Sequence, residues 1–191
     1  MAGSVWLTEV DTALLQLIPT VAKYYDEEGE ETPADVMVRN PEGTFKIEKF
    51  PSVSIFNYDQ IFASYRYNRE EALVEFDLEN GEAIMEKPAI PFDLYYQVDF
   101  WADYQEDINE MTRRWLGKIP KNSVLEVVDT RGTTRYCNME LVDFANADYV
   151  KGDDRIFHRV YSYRIWVELD EGESRGVKVV LDRDIRRGFV D

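Results

Sequence analysis

The apolar residues Val10, Leu14, Leu17, Ile18 and Val21 recur at the intervals that keep them on one face of an α-helix. Thr8 and Asp11 stand at the spacing of a capping box and mark its start. Pro19 has no amide hydrogen and crowds the turn before it, so the helix is expected to kink or end near Ile18 and to resume through Val21 toward Tyr25. The run Asp26-Glu27-Glu28-Gly29-Glu30-Glu31-Thr32-Pro33 cannot bury its like charges, which predicts a solvated loop.

From Asp35 to Lys87 the pattern turns to short extended segments: Val36–Val38, Phe45–Phe50 and Val53–Phe56, separated by Gly43 and Pro51. Ala72–Leu78 then faces Glu82–Glu86 across Glu79-Asn80-Gly81. Asn-Gly accepts the positive φ angles of a tight turn, so these two segments predict a β-hairpin. Over Leu94–Ala102 a period of two puts Leu94, Tyr96, Val98 and Phe100 on one face and Tyr95, Gln97, Asp99 and Trp101 on the other. A helix follows near residues 105–117, with Ile108, Met111, Trp115 and Leu116 as its apolar stripe. It ends at Gly117 and cannot pass Pro120.

Val124–Val128 and Thr134–Phe144 flank the turn Asp129-Thr130-Arg131-Gly132 and predict two more strands. The longest alternation runs from Ile156 to Leu169. Phe157, Tyr161, Tyr163, Ile165, Val167 and Leu169 share one side, and His158, Ser162, Arg164, Trp166 and Glu168 the other. A last strand is predicted at Val177–Leu181. So many hairpin-like links imply a largely antiparallel sheet flanked by the amino-terminal helix and the second helix. The fold class read from the pattern is α+β, as one domain over residues 1–191 with a short carboxy-terminal arm from about residue 183.

With 45% hydrophobic and 14% aromatic residues, the 191-residue chain can bury a sizeable core, which excludes global disorder. Its 22 Lys and Arg against 38 Asp and Glu give a net charge of −16. That disfavours a grip on nucleic acid through phosphate neutralisation, and it suits a wall that repels DNA. Cys137 is the single cysteine, so no internal disulfide is expected, and its strand position predicts a small packed filler. Met1-Ala2-Gly3-Ser4 carries no basic region or long apolar run, so neither a signal peptide nor a membrane span is expected. A reducing cytosol, or a particle assembled there, is the expected setting.

The motifs of common enzyme chemistry do not occur. A Ser-His-acid triad would need His158, the only histidine, which lies inside an alternating strand, and no Gly-x-Ser-x-Gly elbow presents a nucleophile. One Cys and one His cannot make a structural zinc site. Neither the Gly-x-Gly-x-x-Gly nor the Walker pattern occurs. Asp77-Leu78-Glu79-Asn80-Gly81 looks superficially like a calcium loop, but counting back from Gly81 puts Phe76 at the first ligand position. Acidic pairs able to do glycosidase work arise by chance among 38 carboxylates. No catalytic residue, cofactor or metal is therefore expected.

Tyr95, Trp101, Arg164 and Trp166 stand opposite the apolar stripes of their strands and are candidates for a second buried face, against a helix or a neighbouring subunit. Arg183–Asp191 combines Arg186 and Arg187 with Ile185, Phe189 and Val190. It reads as an arm whose arginines pair with a neighbour's carboxylates while Phe189 fills a pocket. Trp101, Trp166, Arg186, Arg187 and Phe189 are the candidate interface residues. Glu27, Glu28, Glu30 and Glu31 are the candidate acidic lumen or solvent loop.

The segment Pro91-Phe92-Asp93-Leu94-Tyr95-Tyr96-Gln97-Val98-Asp99-Phe100-Trp101-Ala102, a proline-led aromatic strand running into the helix Asp107–Leu116, resembles tail terminator or tail-completion proteins of bacteriophages. More loosely it is similar to other neck and baseplate subunits. The likeness lies within residues 88–118, with the same order of amino-terminal helix, proline-bounded β region, strand and helix. It implies a small α+β virion subunit, assembled in a bacterial host's cytoplasm, that forms a ring, typically a hexamer, capping the tail tube and docking the head. Its neighbours would be tail-tube, sheath or neck proteins, with DNA passing through unbound and no membrane involved. A baseplate or other neck subunit, and a small soluble enzyme or ligand-binding module, are the alternative readings.

Overall fold

In the computed structural model β7 (Ile90–Ala102) and β11 (Asp154–Leu169) lie antiparallel through the middle of the protein, Tyr96 beside Tyr163 and Val98 beside Tyr161. The structure describes residues 5–39, 47, 49–67, 72–77, 82–86, 88–152, 154–169 and 174–178. The other elements are α1 (Leu7–Val21), β1 (Lys23–Tyr25), β2 (Glu31–Pro33), β3 (Asp35–Val38), β4 (Ser52–Phe62), β5 (Ala72–Asp77), β6 (Glu82–Glu86), α2 (Gln105–Lys118), β8 (Asn122–Val128), β9 (Thr134–Asn146), β10 (Tyr149–Lys151) and β12 (Ser174–Lys178). The fold is α+β.

The principal sheet has the order β3-β4-β7-β11-β9-β8, with β10 added to β11. All its pairs are antiparallel except β3 with β4, which run parallel. Helix α1 packs on β8 at one end of that order and on β3 and β4 at the other, so the sheet curls round it, and α2 lies against β1, β7 and β11. Two smaller sheets are separate in hydrogen bonding: the hairpin β1-β2, and β12-β6-β5.

The core sits between the helices and the inner sheet face. Leu94, Tyr96, Val98 and Phe100 are buried there, as the alternation predicts, with Tyr161, Tyr163, Ile165 and Val167 beside them. Burial of each such side chain stabilises by roughly 1.5–3 kcal/mol. Phenols in this layer need partners, and each finds one on a helix. Tyr96 Oη donates to Asp11 Oδ1 at 2.7 Å, Tyr161 Oη to Thr112 Oγ1 at 3.0 Å, and Tyr163 Oη accepts from Trp115 Nε1 at 2.8 Å.

Several boundaries differ from the sequence expectation. The first helix is capped by Trp6, whose amide donates to Glu9 Oε2 at 3.0 Å, while Thr8 and Asp11 lie inside it. It passes Pro19 and stops at Val21, because Ile18 and Val21 are held in the core while the lost amide bond falls in the last turn. Tyr24 and Tyr25 are then strand, not resumed helix. Within the acidic run only residues 26–30 form a turn, closed at Gly29 with φ 78°. Glu31, Thr32 and Pro33 are β2, because Asp26 accepts from the Glu30 amide and the Thr32 hydroxyl, each at 2.8 Å.

β5 and β6 pair as the predicted hairpin; its Asn80-Gly81 turn lies outside the described residues. Residues 45, 46 and 48 of the Phe45–Phe50 segment also lie outside them, and Ile47, Lys49 and Phe50 are not strand. β4 is far longer than Val53–Phe56 and carries a bulge between Asn57 and Asp59. The last described strand is Ser174–Lys178, earlier than Val177–Leu181, and the arm from residue 183 lies outside the described residues.

Candidate assembly surface

With the helices on the inner face, the residues of opposite parity form an outer face over β4, β7, β11 and β9. Two polar clusters lie on it, and exposed apolar side chains of both faces collect along the margins of the sheet.

The first cluster centres on Asp99, whose side chain has no exposed surface. Gln97 Nε2 donates to both its oxygens at 2.9 Å, His158 Nε2 lies 2.9 Å from Oδ1, and Ser54 Oγ lies 3.5 Å from Oδ2. Arg39 Nη1 stands 3.9 Å away. Trp101 stacks on His158 at 3.5 Å and 11°, and its indole nitrogen donates to Ser54 Oγ at 3.3 Å. Ser54, Asp99 and His158 come from three strands, and no sequence spacing announced them. Their order is not that of a triad, in which the imidazole lies between hydroxyl and carboxylate. Here the carboxylate is in the middle, and the cluster serves to neutralise it.

The second cluster centres on Asp93, which accepts from Arg66 Nη2 at 2.8 Å and Tyr65 Oη at 2.9 Å, with Arg164 Nη1 at 4.0 Å. Arg164 also pairs with Glu140. The indole of Trp166 lies near both guanidiniums, 5.4 Å from that of Arg66 and 5.5 Å from that of Arg164. A groove of about 470 Å³ lies alongside, walled in part by Arg66, Arg135, Tyr136 and Trp166. Cys137 also borders it. Burial, then Glu168, push its thiol up to about 11, so it behaves as packing.

Exposed apolar side chains collect at two places. Tyr58, Ile61, Phe62 and Tyr65 lie on and beyond the second half of β4. β3 pairs only with Ser52–Ile55, so the rest of β4 leaves an edge without a strand partner among the described residues. Val124, Val128 and Tyr136 lie on the β8–β9 hairpin, and Val142, Phe144 and Val150 further along β9 and on β10. β8 is the other edge of the order.

A second concavity, about 730 Å³, opens between the β1–β2 turn and the start of α2. Asp26, Glu27, Asp103, Glu106 and Asp107 border it together with Tyr25, Phe50 and Tyr104. Partial burial, followed by the like charges of Asp103 and Glu106, raises the pKa of Asp107.

Among the predicted interface residues, Trp101 is 7% exposed and has His158 on its face and Tyr149 at its edge, so its surface is used within the chain. Trp166 is half-buried between two arginines. Tyr95 packs on Tyr58 at 6.0 Å. Trp101 thus finds its partners within the chain, whereas Tyr95, Arg164 and Trp166 keep part of their surface open. Arg186, Arg187 and Phe189 lie outside the described residues. Glu27, Glu28 and Glu30 are exposed in the turn, whereas Glu31 reaches Lys23 Nζ at 2.9 Å and pairs with Arg114.

Sequence reasoning missed Arg66, Asp93, Ser54 and Asp99. The signal available was a pair of aspartates within an aromatic strand. Compared with protein-family models and with curated proteins, the chain matches none. Among the described residues no group of three or more His, Cys, Asp or Glu is placed to hold a metal ion, and no helix is long and apolar enough to cross a membrane.

Proposed function

We propose that the chain is a structural subunit of a bacteriophage tail, a tail terminator or head–tail joining protein whose copies close into a ring at the end of the tail tube. The observation that carries this reading is the placement of two unlike apolar patches at opposite sides of one sheet. A patch on β4 that meets a patch on β8–β9 of the next copy is a heterologous contact, and such contacts generate rings when the rotation closes. Both patches lie at strand edges without described partners, the usual sites of pairing between chains.

Charge supports the same reading. A net charge of −16 lets DNA slide through a central hole without accumulating phosphate contacts that would stall it. Recruitment of tail-tube, sheath or neck proteins is then the work of the ring's two ends, with six copies as the ring order implied by the resemblance in residues 88–118.

Mass photometry and negative-stain imaging of the purified full-length chain test this. A closed ring of uniform order is the expected result. A monodisperse monomer at every concentration up to the solubility limit, unchanged by moderate salt, overturns it.

A further inference from the structure

We infer that the principal sheet runs on from one copy to the next, the free second half of β4 pairing antiparallel with the free second half of β9 of a neighbouring copy. This rests on the ring reading and names its contact as main-chain pairing between two particular strands.

Both edges of the sheet are stepped. β3 pairs with β4 only over Ser52–Ile55. β8 pairs with β9 only over Thr134–Glu140, with one more bond from the Leu141 amide to Lys121 O at 2.7 Å. Past those points no strand among the described residues lies beside β4 on the side away from β7, or beside β9 on the side away from β11. Burial changes at the same places. Residues 52–55 of β4 are buried and 58–62 are all exposed, while β9 keeps buried positions at 137 and 139 and then has 142–146 all exposed. Successive side chains of a strand point to opposite faces, so five exposed residues in a row leave both faces open. Unpaired N–H and C=O groups in such a stretch are a template for another strand.

The two stretches agree in length, direction and position. Each has five residues. Each strand reverses in the order β4, β7, β11, β9, so β4 and β9 run opposite ways. A copy set alongside without inversion therefore presents β9 antiparallel to β4. The steps then interlock: the neighbour's β9 takes up the line that β3 leaves after Ile55, and β4 takes up the line that the neighbour's β8 begins at Asn122. Pairing β4 with a second β4 would leave both β9 stretches bare.

Full overlap of the five residues puts Asp59 opposite Ala145, Gln60 opposite Phe144 and Ile61 opposite Asp143, so no carboxylate faces another. The faces agree in this register. Gln60 stands beside Leu94 and Phe144 beside Tyr161 on the inner face, and Asp59 beside Tyr95 and Ala145 beside Val160 on the outer one. Phe62 and Phe144, 44% and 43% exposed, become diagonal neighbours on the inner face, within reach of each other's rings.

Disulfide trapping in the full chain tests this with the double variant Asp59→Cys and Ala145→Cys. Directly opposite residues of an antiparallel pair have Cα atoms about 4.5–5.5 Å apart, within the span of a disulfide. Inside one chain β7 and β11 separate the two positions, so a link between them joins copies. Cys137, 6% exposed, is the background common to all variants. After mild oxidation the expected result is a ladder of covalent oligomers on a non-reducing gel, with at least about tenfold more linked chain than in either single variant, because pairing raises the local thiol concentration. Ile61→Cys with Asp143→Cys, a second pair in the same register, should give the same ladder and takes over if the first variant fails to fold by circular dichroism. Ile61→Cys with Asn146→Cys, three residues out of register, should stay at the level of the single variants.

A double variant that links no more than the single ones overturns the inference. So does Asp59→Cys alone dimerising as fully as the double variant, which would pair β4 with β4. Mass photometry of the untreated protein reads the ring separately. A ring without the ladder keeps the ring and removes the strand pairing; a ladder that runs past any fixed order, in a protein that forms open filaments, keeps the pairing and removes the ring.

Discussion

Asp99 is a carboxylate without exposed surface, and it is tolerable because Gln97, His158, Ser54 and Arg39 surround it with donors and positive charge. Asp99→Ala strands those donors in a buried site. It should cost about 3–5 kcal/mol, as breaking a buried charged network does. Asp99→Asn, which keeps an acceptor oxygen, should cost less, and urea unfolding monitored at Trp101 distinguishes them. Equal midpoints for the two variants would show that the network contributes only shape. Glu110 gives a pH test. Bonds from Arg113 and then Arg114 hold its pKa down, from an ordinary 4.5 to about 2. A depressed carboxyl stabilises the fold above its unfolded pKa, and that contribution is lost as pH falls through the folded one. The melting-temperature gap between wild type and Glu110→Gln should therefore be full at neutral pH and close between about pH 4.5 and 2. A gap independent of pH would rule this out.

At the scale of elements, the β8–β9 hairpin depends on one side chain. Asp129 Oδ1 accepts from the amides of Arg131 and Thr133, each at 2.9 Å, and Oδ2 meets Arg135 Nε at 3.1 Å, while Gly132 turns the chain at φ 81°. Asp129→Ala should lower the urea midpoint without changing its slope. Gly132→Ala should cost about 1–2 kcal/mol, the penalty of a Cβ in the left-handed region. Residues 129–132 were legible as a turn because Asp and Gly are local signals. Their partner strands were not fixed to the same precision, since alternation continues past the point where pairing stops. The β1–β2 hairpin shows the opposite case. Like charge announces a loop, yet Lys23 and Arg114 draw Glu31 into a strand. Replacing Glu27, Glu28 and Glu30 together by Gln should leave the thermal midpoint unchanged, whereas Glu31→Gln should lower it. A fall in the triple variant equal to that of Glu31→Gln would contradict the assignment.

On the scale of the whole molecule, the ring reading predicts complementary failures. Tyr58→Lys with Ile61→Lys removes one patch, and Val124→Glu with Val128→Glu removes the other. Each double variant should be a folded monomer, and an equimolar mixture should stop at the heterodimer, because only one intact contact remains between them. Multimers persisting in either variant alone would place the interface elsewhere. What the sequence determined by itself is mostly which residues face inward: the alternation of Leu94, Tyr96, Val98 and Phe100 and the stripe of Ile108, Met111 and Trp115 follow from periods of 2 and 3.6, which are local geometry, while Leu116, read into the same stripe, is exposed. Tertiary structure alone decided the parallel seat of β3, the curling of the sheet round α1, and the meeting of Ser54 and His158 at Asp99, 45 and 59 residues away along the chain. Periodicity says which face a side chain occupies. It carries no information about which strand lies alongside, because that choice is made by the packing of the whole sheet against its helices.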